Sequence, residues 1–166
     1  MPDFHATGSY VFSIQRSDST VLAKNHLTMY NPATSGKAMT VSAFFVSFMA
    51  TVAAPAYPLR GHRFSGTPSG GTLHTVSEIC KFDTGLHDPA AELRSNNPTA
   101  PNLDGAIFNS PPGTVKDTIG PVHQVDAPQG FNPFVLRPGQ GVVLRQDVGA
   151  VGLFWNISII WRELRG

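Results

Sequence analysis

The C-terminal stretch from Val151 to Glu163 constrains the fold more than any other part of the chain. It reads Val-Gly-Leu-Phe-Trp-Asn-Ile-Ser-Ile-Ile-Trp-Arg-Glu. Leu153, Trp155, Ile157, Ile159 and Trp161 recur at spacing two, which puts them on one face of a β-strand and would scatter them around a helix. The alternate positions, Phe154, Asn156, Ser158, Ile160 and Arg162, are mixed in character. Burying five such apolar side chains contributes on the order of 10 kcal/mol before chain entropy is subtracted. A strand this apolar belongs inside a sheet, because at an exposed edge it would recruit other chains.

The rest of the chain reads as short strands separated by turn formers. Gly (16) and Pro (14) punctuate the 166 residues densely enough to favour an all-β fold over a helical one. Tyr10, Phe12 and Ile14 alternate with Val11, Ser13 and Gln15 as a first strand. Val21–Tyr30 forms a second strand region, and Asn31–Lys37 is a loop of turn residues. Ala38–Val52 is a long strand with Met39, Val41, Phe45 and Met49 on one face and Phe44, Val46 and Phe48 on the other. Two readings fit a strand apolar on both sides. Either it is sandwiched between two layers, or one face packs inside the subunit and the other against a neighbour, with Phe44, Val46 and Phe48 as candidate interface residues.

Thr72–Phe82 reads as one strand, and Asp88-Pro89 can open a single helical turn. Arg94–Asp104 is a long connection, followed by short strands at Ala106–Asn109 and Ile119–Val125. Phe134–Arg137 and Val142–Gln146 flank Pro138-Gly139-Gln140-Gly141 as a strand-turn-strand unit. The expectation is an all-β, single-domain antiparallel β-sandwich of jelly-roll type, with about eight to ten strands, over residues 9–166. Residues 1–8 are expected to form a flexible N-terminal arm. An immunoglobulin-like sandwich is the alternative, but the paired cysteines of that class are missing.

Charge and chemistry exclude several functions. Twelve basic against eleven acidic residues leave a net charge of +1, no field to hold nucleic acid. Charged residues are only 14% of the chain, about half the usual share, which implies surface covered by other subunits and hence a homo-oligomer. Cys80 is the one cysteine, so no internal disulfide forms, and its place in an apparent strand marks it as a packing group. The opening Met-Pro-Asp-Phe-His lacks a basic stretch followed by an apolar run, so a signal peptide is not expected from it. The run Val41–Ala56 is too short and too polar for a membrane span.

His5, His26, His62, His74, His87 and His123 lack ligand spacing, so no metal and no cofactor are expected. His74 reads as a half-buried strand residue bonded to backbone. No Gly-x-Ser-x-Gly elbow occurs, Ser69 has no base nearby in sequence, and Gly66–Gly71 lacks the Lys-Ser/Thr ending of a phosphate loop. Arg60, His62 and Arg63 form a solvated basic rim. The sequence therefore reads as that of a protein that is not an enzyme.

One segment, His26-Leu27-Thr28-Met29-Tyr30-Asn31-Pro32-Ala33-Thr34-Ser35-Gly36-Lys37, runs into a long apolar strand. It resembles small structural proteins of tailed bacteriophages, in which a strand ends in Asn-Pro and a Ser-Gly turn follows. Phe134-Val135-Leu136-Arg137-Pro138-Gly139-Gln140-Gly141 is similar to the strand before their Pro-Gly turn, and the final aromatic strand fits as well. The resemblance covers about a third of the chain. It implies a head decoration protein, also called a cement or auxiliary protein: a jelly-roll homotrimer bound to the major capsid protein on the outer surface of a phage head. Such a protein is made in the host cytoplasm and resides in the virion. An arm carrying Asp3, Phe4 and His5 would dock on the capsid lattice. The alternative is a phage tail or receptor/carbohydrate-binding jelly-roll module, for which exposed loop aromatics such as Tyr57 and Phe131 would speak. A cupin-like enzyme is disfavoured by the scattered histidines.

Overall fold

A computed structural model describes residues 9–18, 20, 23–50, 59–109, 123–126, 134–148 and 153–165. The strands are β1 (Ser9–Asp18), β2 (Asn25–Tyr30), β3 (Lys37–Ala50), β4 (Leu59–Ser65), β5 (Thr72–Leu73), β6 (Cys80–Lys81), β7 (Glu92–Ser95), β8 (Leu103–Asn109), β9 (His123–Asp126), β10 (Phe134–Leu136), β11 (Gln140–Gln146) and β12 (Leu153–Arg165). One sheet has the order β10-β3-β12-β1-β6, with β9 also paired to β3, and the other runs β5-β7-β2-β11-β4-β8. Every pairing is antiparallel.

The pairings are nested. β1 pairs with β12, β2 with β11, β3 with β10, and β4 with β8. A long hairpin folded in this way rolls over on itself once β12 also pairs with β3 and β11 with β4. That wrap is the jelly roll. Among the described residues four short strands, β5, β6, β7 and β9, are added to the eight of the roll, so the count there exceeds the eight to ten expected.

β12 holds the place its pattern demands, between β3 and β1. Trp155, Ile157, Ile159 and Trp161 are all buried in the core between the sheets, with Tyr10, Phe12, Met29, Leu93, Leu136 and Leu144. Tyr10 stacks on Trp161 at 5.5 Å between ring centroids. The Trp155 indole donates to Gln146 Oε1 at 2.7 Å, joining one sheet to the other.

The expected faces of β3 are corrected. Ile160 pairs with Ala43 and Trp161 with Val41, so Ser42 is an extra residue in the ladder. A bulge of this kind moves every later side chain to the opposite face. Met39 and Val41 point inward before it, and Phe44 and Val46 point inward after it. Phe44 and Val46, offered above as interface residues, therefore belong to this chain's own core. Phe45 takes the outer face opposite Ser158. The side chain of Phe48 lies outside the described residues, as do residues 1–8.

Three further readings change. Thr72–Phe82 is not one strand: β5 and β6 are separated by a 3-10 turn at Val76–Glu78. No helical turn follows Asp88, and residues 92–95 extend as β7 because they pair with β2. The turn at 137–139 does not close a hairpin. It carries the chain from β10 in one sheet to β11 in the other.

Asn31 secures that crossing. Its Nδ2 donates to the carbonyls of Lys37 and Leu136 at 2.8 and 3.0 Å, its backbone N–H to Gln140 O, and its carbonyl accepts from Gly139 N. The two stretches that carry the phage resemblance thus meet at one corner of the sandwich.

Candidate functional site

A polar cleft opens where β1 is interrupted. Ile14 pairs with Ile157 and Ser17 with Trp155, so Gln15 and Arg16 bulge opposite Asn156. Arg16 adopts φ 53°, a left-handed conformation costly for a side chain of its size. Its N–H donates to Asn156 Oδ1 at 2.9 Å, replacing the ladder bond lost at the bulge. Its guanidinium lies 5.3 Å from the Phe154 ring centroid. The cleft encloses about 500 Å³ and is lined by Ser13, Ser17 and Lys24 on one side and by His74, Ser95 and Asn96 on the other. That volume suits a small organic ligand.

Two histidines flank the cleft. Ser17 Oγ lies 2.8 Å from His26 Nδ1. Burial, and then the nearby Lys24 ammonium, lower the His26 pKa from 6.5 to about 4, so the ring is neutral at neutral pH. Lys24 is itself buried, with Nζ donating to the carbonyl of Asp18 at 2.6 Å.

The second histidine is the more telling. His74 Nδ1 is 3.0 Å from Glu78 Oε1, and His74 Nε2 is 2.7 Å from Ser95 Oγ. Glu78 Oε2 also accepts from the backbone N–H and hydroxyl of Thr75 at 2.6 and 3.0 Å. The bond from His74, followed by those from Thr75, lowers the Glu78 carboxyl from 4.5 to about 2. An ionised carboxylate only accepts, so Nδ1 carries the proton of the neutral ring and Nε2 is left to accept from Ser95. The ring is held from beneath by Phe12, 4.5 Å away between centroids.

The sequence reading missed this chain of contacts. In a continuous strand, His74 and Glu78 would stand about 13 Å apart. The 3-10 turn folds that distance away. The signal was present in Thr75-Val76-Ser77-Glu78, the pattern of a capping box. Ser95 could not be read locally, since it lies 21 residues on, in β7, and is brought to His74 by the pairing of β7 with β5. Gly71 permits the approach: with φ +61°, it sits where a Cβ would collide with the carbonyl of Ser95 and stand 3.0 Å from Pro98 N.

The other residues singled out above are scattered. Arg60 pairs with Asp147 at 2.6 Å, His62 Nδ1 donates to the Asp104 carbonyl at 3.0 Å, and Arg63 lies 4.4 Å from the Phe134 ring centroid. Cys80 is exposed on the short edge strand β6, not packed in an apolar interior. His87 belongs to a separate cluster in which Lys37 Nζ and the buried Glu163 carboxylate meet at 2.7 Å. Glu163 also accepts from the N–H groups of Ala90 and Ala91, tying the 87–91 segment to β12. Among the described residues no group of His, Cys, Asp and Glu is arranged to hold a metal. Asp3, Phe4, His5, Tyr57 and Phe131 lie outside the described residues.

No family model, curated protein or solved structure matches this chain.

Proposed function

We propose that this protein is a structural subunit of a virion, decorating the outer surface of a phage head as an oligomer, with the trimer as the expected form. The observation that carries this reading is the outer face of the β1/β12/β3/β10 sheet. Val11, Phe45, Phe154 and Ile160 lie there half-buried between Ser13, Ser47, Asn156 and Ser158. The polar groups are neutral and satisfy one another: Ser13 Oγ meets Ser158 Oγ at 2.7 Å, and Asn156 Nδ2 donates to Ser47 Oγ at 3.3 Å. The middle of this face carries uncharged groups, which lose little solvation when covered, while Arg162 and Arg16 stand toward its ends beside Ser9 and Phe154. Such a face suits contact between subunits or with a lattice. The jelly-roll wrap supports the same reading, since viral capsid domains use it repeatedly. The capsid partner would be the major capsid protein.

The test is to add purified protein to capsids that lack it and measure co-sedimentation, together with oligomer mass in solution. Saturable binding at a symmetric stoichiometry supports the reading. A monomer that does not sediment with capsids overturns it.

A second reading, a receptor- or carbohydrate-binding module, is favoured by the hydroxyl- and amide-lined cleft at the β1 bulge. Glycan binding that is lost on substituting Asn96 and Gln15 would select it.

A further inference from the structure

The geometry points to an esterase activity in the cleft, with Ser95 as nucleophile, His74 as its general base and Glu78 as the residue that positions His74. The inference does not depend on the capsid reading.

Three observations carry it. The contacts run Glu78 Oε1 to His74 Nδ1 at 3.0 Å and His74 Nε2 to Ser95 Oγ at 2.7 Å, the order in which a carboxylate fixes a tautomer and an imidazole receives a serine proton. His74 and Ser95 both line the cleft, so the nucleophile faces space that a substrate can enter. Lys24 lines the same cleft as a candidate donor to a developing oxyanion, beside Asp18, whose carbonyl its Nζ already bonds at 2.6 Å. The backbone beside the nucleophile is also held in a sparsely populated conformation: Asn96 has φ 58°, as Arg16 has φ 53° across the cleft.

The reaction balances as ester plus water giving acid plus alcohol. Ser95 Oγ attacks the ester carbonyl as its proton passes to His74 Nε2. The bond from the carbonyl carbon to the alkoxy oxygen breaks, and the alcohol leaves with that proton. Water then gives a proton to Nε2 and attacks the acyl group on Ser95, and the acid departs as Oγ regains its hydrogen. The substrate class follows from the lining. Gln15, Ser17 and Asn96 suit a polyhydroxylated alcohol, while Ile14 alone offers an apolar wall and fits only a short acyl chain. An O-acetylated sugar has that chemistry.

The experiment uses the full chain. A fluorophosphonate probe should label the native protein at Ser95, located by peptide mass, and p-nitrophenyl acetate should be hydrolysed in preference to the octanoate. Ser95→Ala should lose both signals with its melting temperature retained, and His74→Asn should reduce turnover about 100-fold or more. Glu78→Gln should lower kcat with little change in KM, and Glu78→Asp should restore part of it. Failure of the native protein to label at Ser95 overturns the proposal without reference to any variant. So does turnover that survives Ser95→Ala, or labelling that falls on Ser13 or Ser17 instead.

Discussion

Asn31 donates through its amide to the carbonyl of Leu136 at 3.0 Å, across 105 residues of sequence. The bond joins the loop between β2 and β3 to the last residue of β10, and the Asn31 backbone bonds Gly139 and Gln140 just beyond it, so two sheet-crossing connections meet at one buried residue. Ser35 Oγ donates to the remaining Asn31 oxygen at 2.6 Å, leaving no polar atom of the amide idle. Asn31→Ala strands the buried carbonyl of Leu136 and should cost about 2–4 kcal/mol. Asn31→Asp should be comparably damaging, because a carboxylate cannot donate to either carbonyl. Chemical denaturation of both variants measures this, and midpoints equal to the parent's would deny the corner its structural weight.

The two tryptophans of β12 should respond differently to a conservative change. Trp155 Nε1 donates to Gln146 Oε1, whereas Trp161 Nε1 is buried with no partner among the described residues. Trp155→Phe removes ring volume and also the indole N–H bond to Gln146, an added cost of about 0.5–1.5 kcal/mol. Trp161→Phe removes volume but also relieves an unpaired donor. Thermal melts should therefore rank Trp155→Phe below Trp161→Phe. The reverse order would mean that packing against Tyr10 outweighs the hydrogen bond.

Acid should weaken the fold in two steps. His26 has a folded pKa of about 4 against an ordinary 6.5, so the unfolded chain binds more protons between those values. Its contribution is complete above pH 6.5 and is lost as pH falls toward 4, amounting to about 3 kcal/mol at full span. Glu78 adds a second window. Its carboxyl titrates near 2 rather than 4.5, so its stabilising bonds to His74 and Thr75 fade as pH falls through that range. His26→Gln should flatten the stability profile between pH 6.5 and 4 while leaving the lower step. A profile unchanged by that substitution would place the sensitivity elsewhere.

How far the sequence could be read follows from the range of each interaction. β12 was legible because its period of two continues from Trp155 to Trp161, and burial follows that period without interruption. The turn residues at 31–36 and 137–139 were legible as turns. That they meet was not, because Asn31 could have satisfied its amide locally. Whether 137–139 closes a hairpin or crosses between sheets depends on which strands β10 and β11 choose, and both partners are distant in sequence. The cleft was illegible for the same reason. Ser95 reaches His74 because β7 pairs with β5, while the 3-10 turn shortens the path from His74 to Glu78. Composition and local periodicity carry no trace of such a convergence.

The bulge at Ser42 yields a test on adjacent residues. Phe44 is buried between the sheets, and Phe45 faces outward beside Ser158. If the outer face is the contact surface of the proposed oligomer, the two positions should fail in different ways. Phe44→Ala empties core volume within one subunit and should cost about 3–5 kcal/mol of stability. Phe45→Asp removes no core packing, so the isolated subunit should keep its melting temperature nearly unchanged. A charge on the outer face must, however, be desolvated when that face is covered, so Phe45→Asp should shift light-scattering mass toward monomer and weaken capsid co-sedimentation. Ile160→Lys, on the neighbouring strand and the same face, should reproduce the Phe45→Asp result. If both outward variants assemble and bind as the parent does, the β1/β12/β3/β10 face is not the contact surface. If Phe44→Ala instead dissociates an otherwise stable subunit, the shift of register placed at Ser42 is wrong.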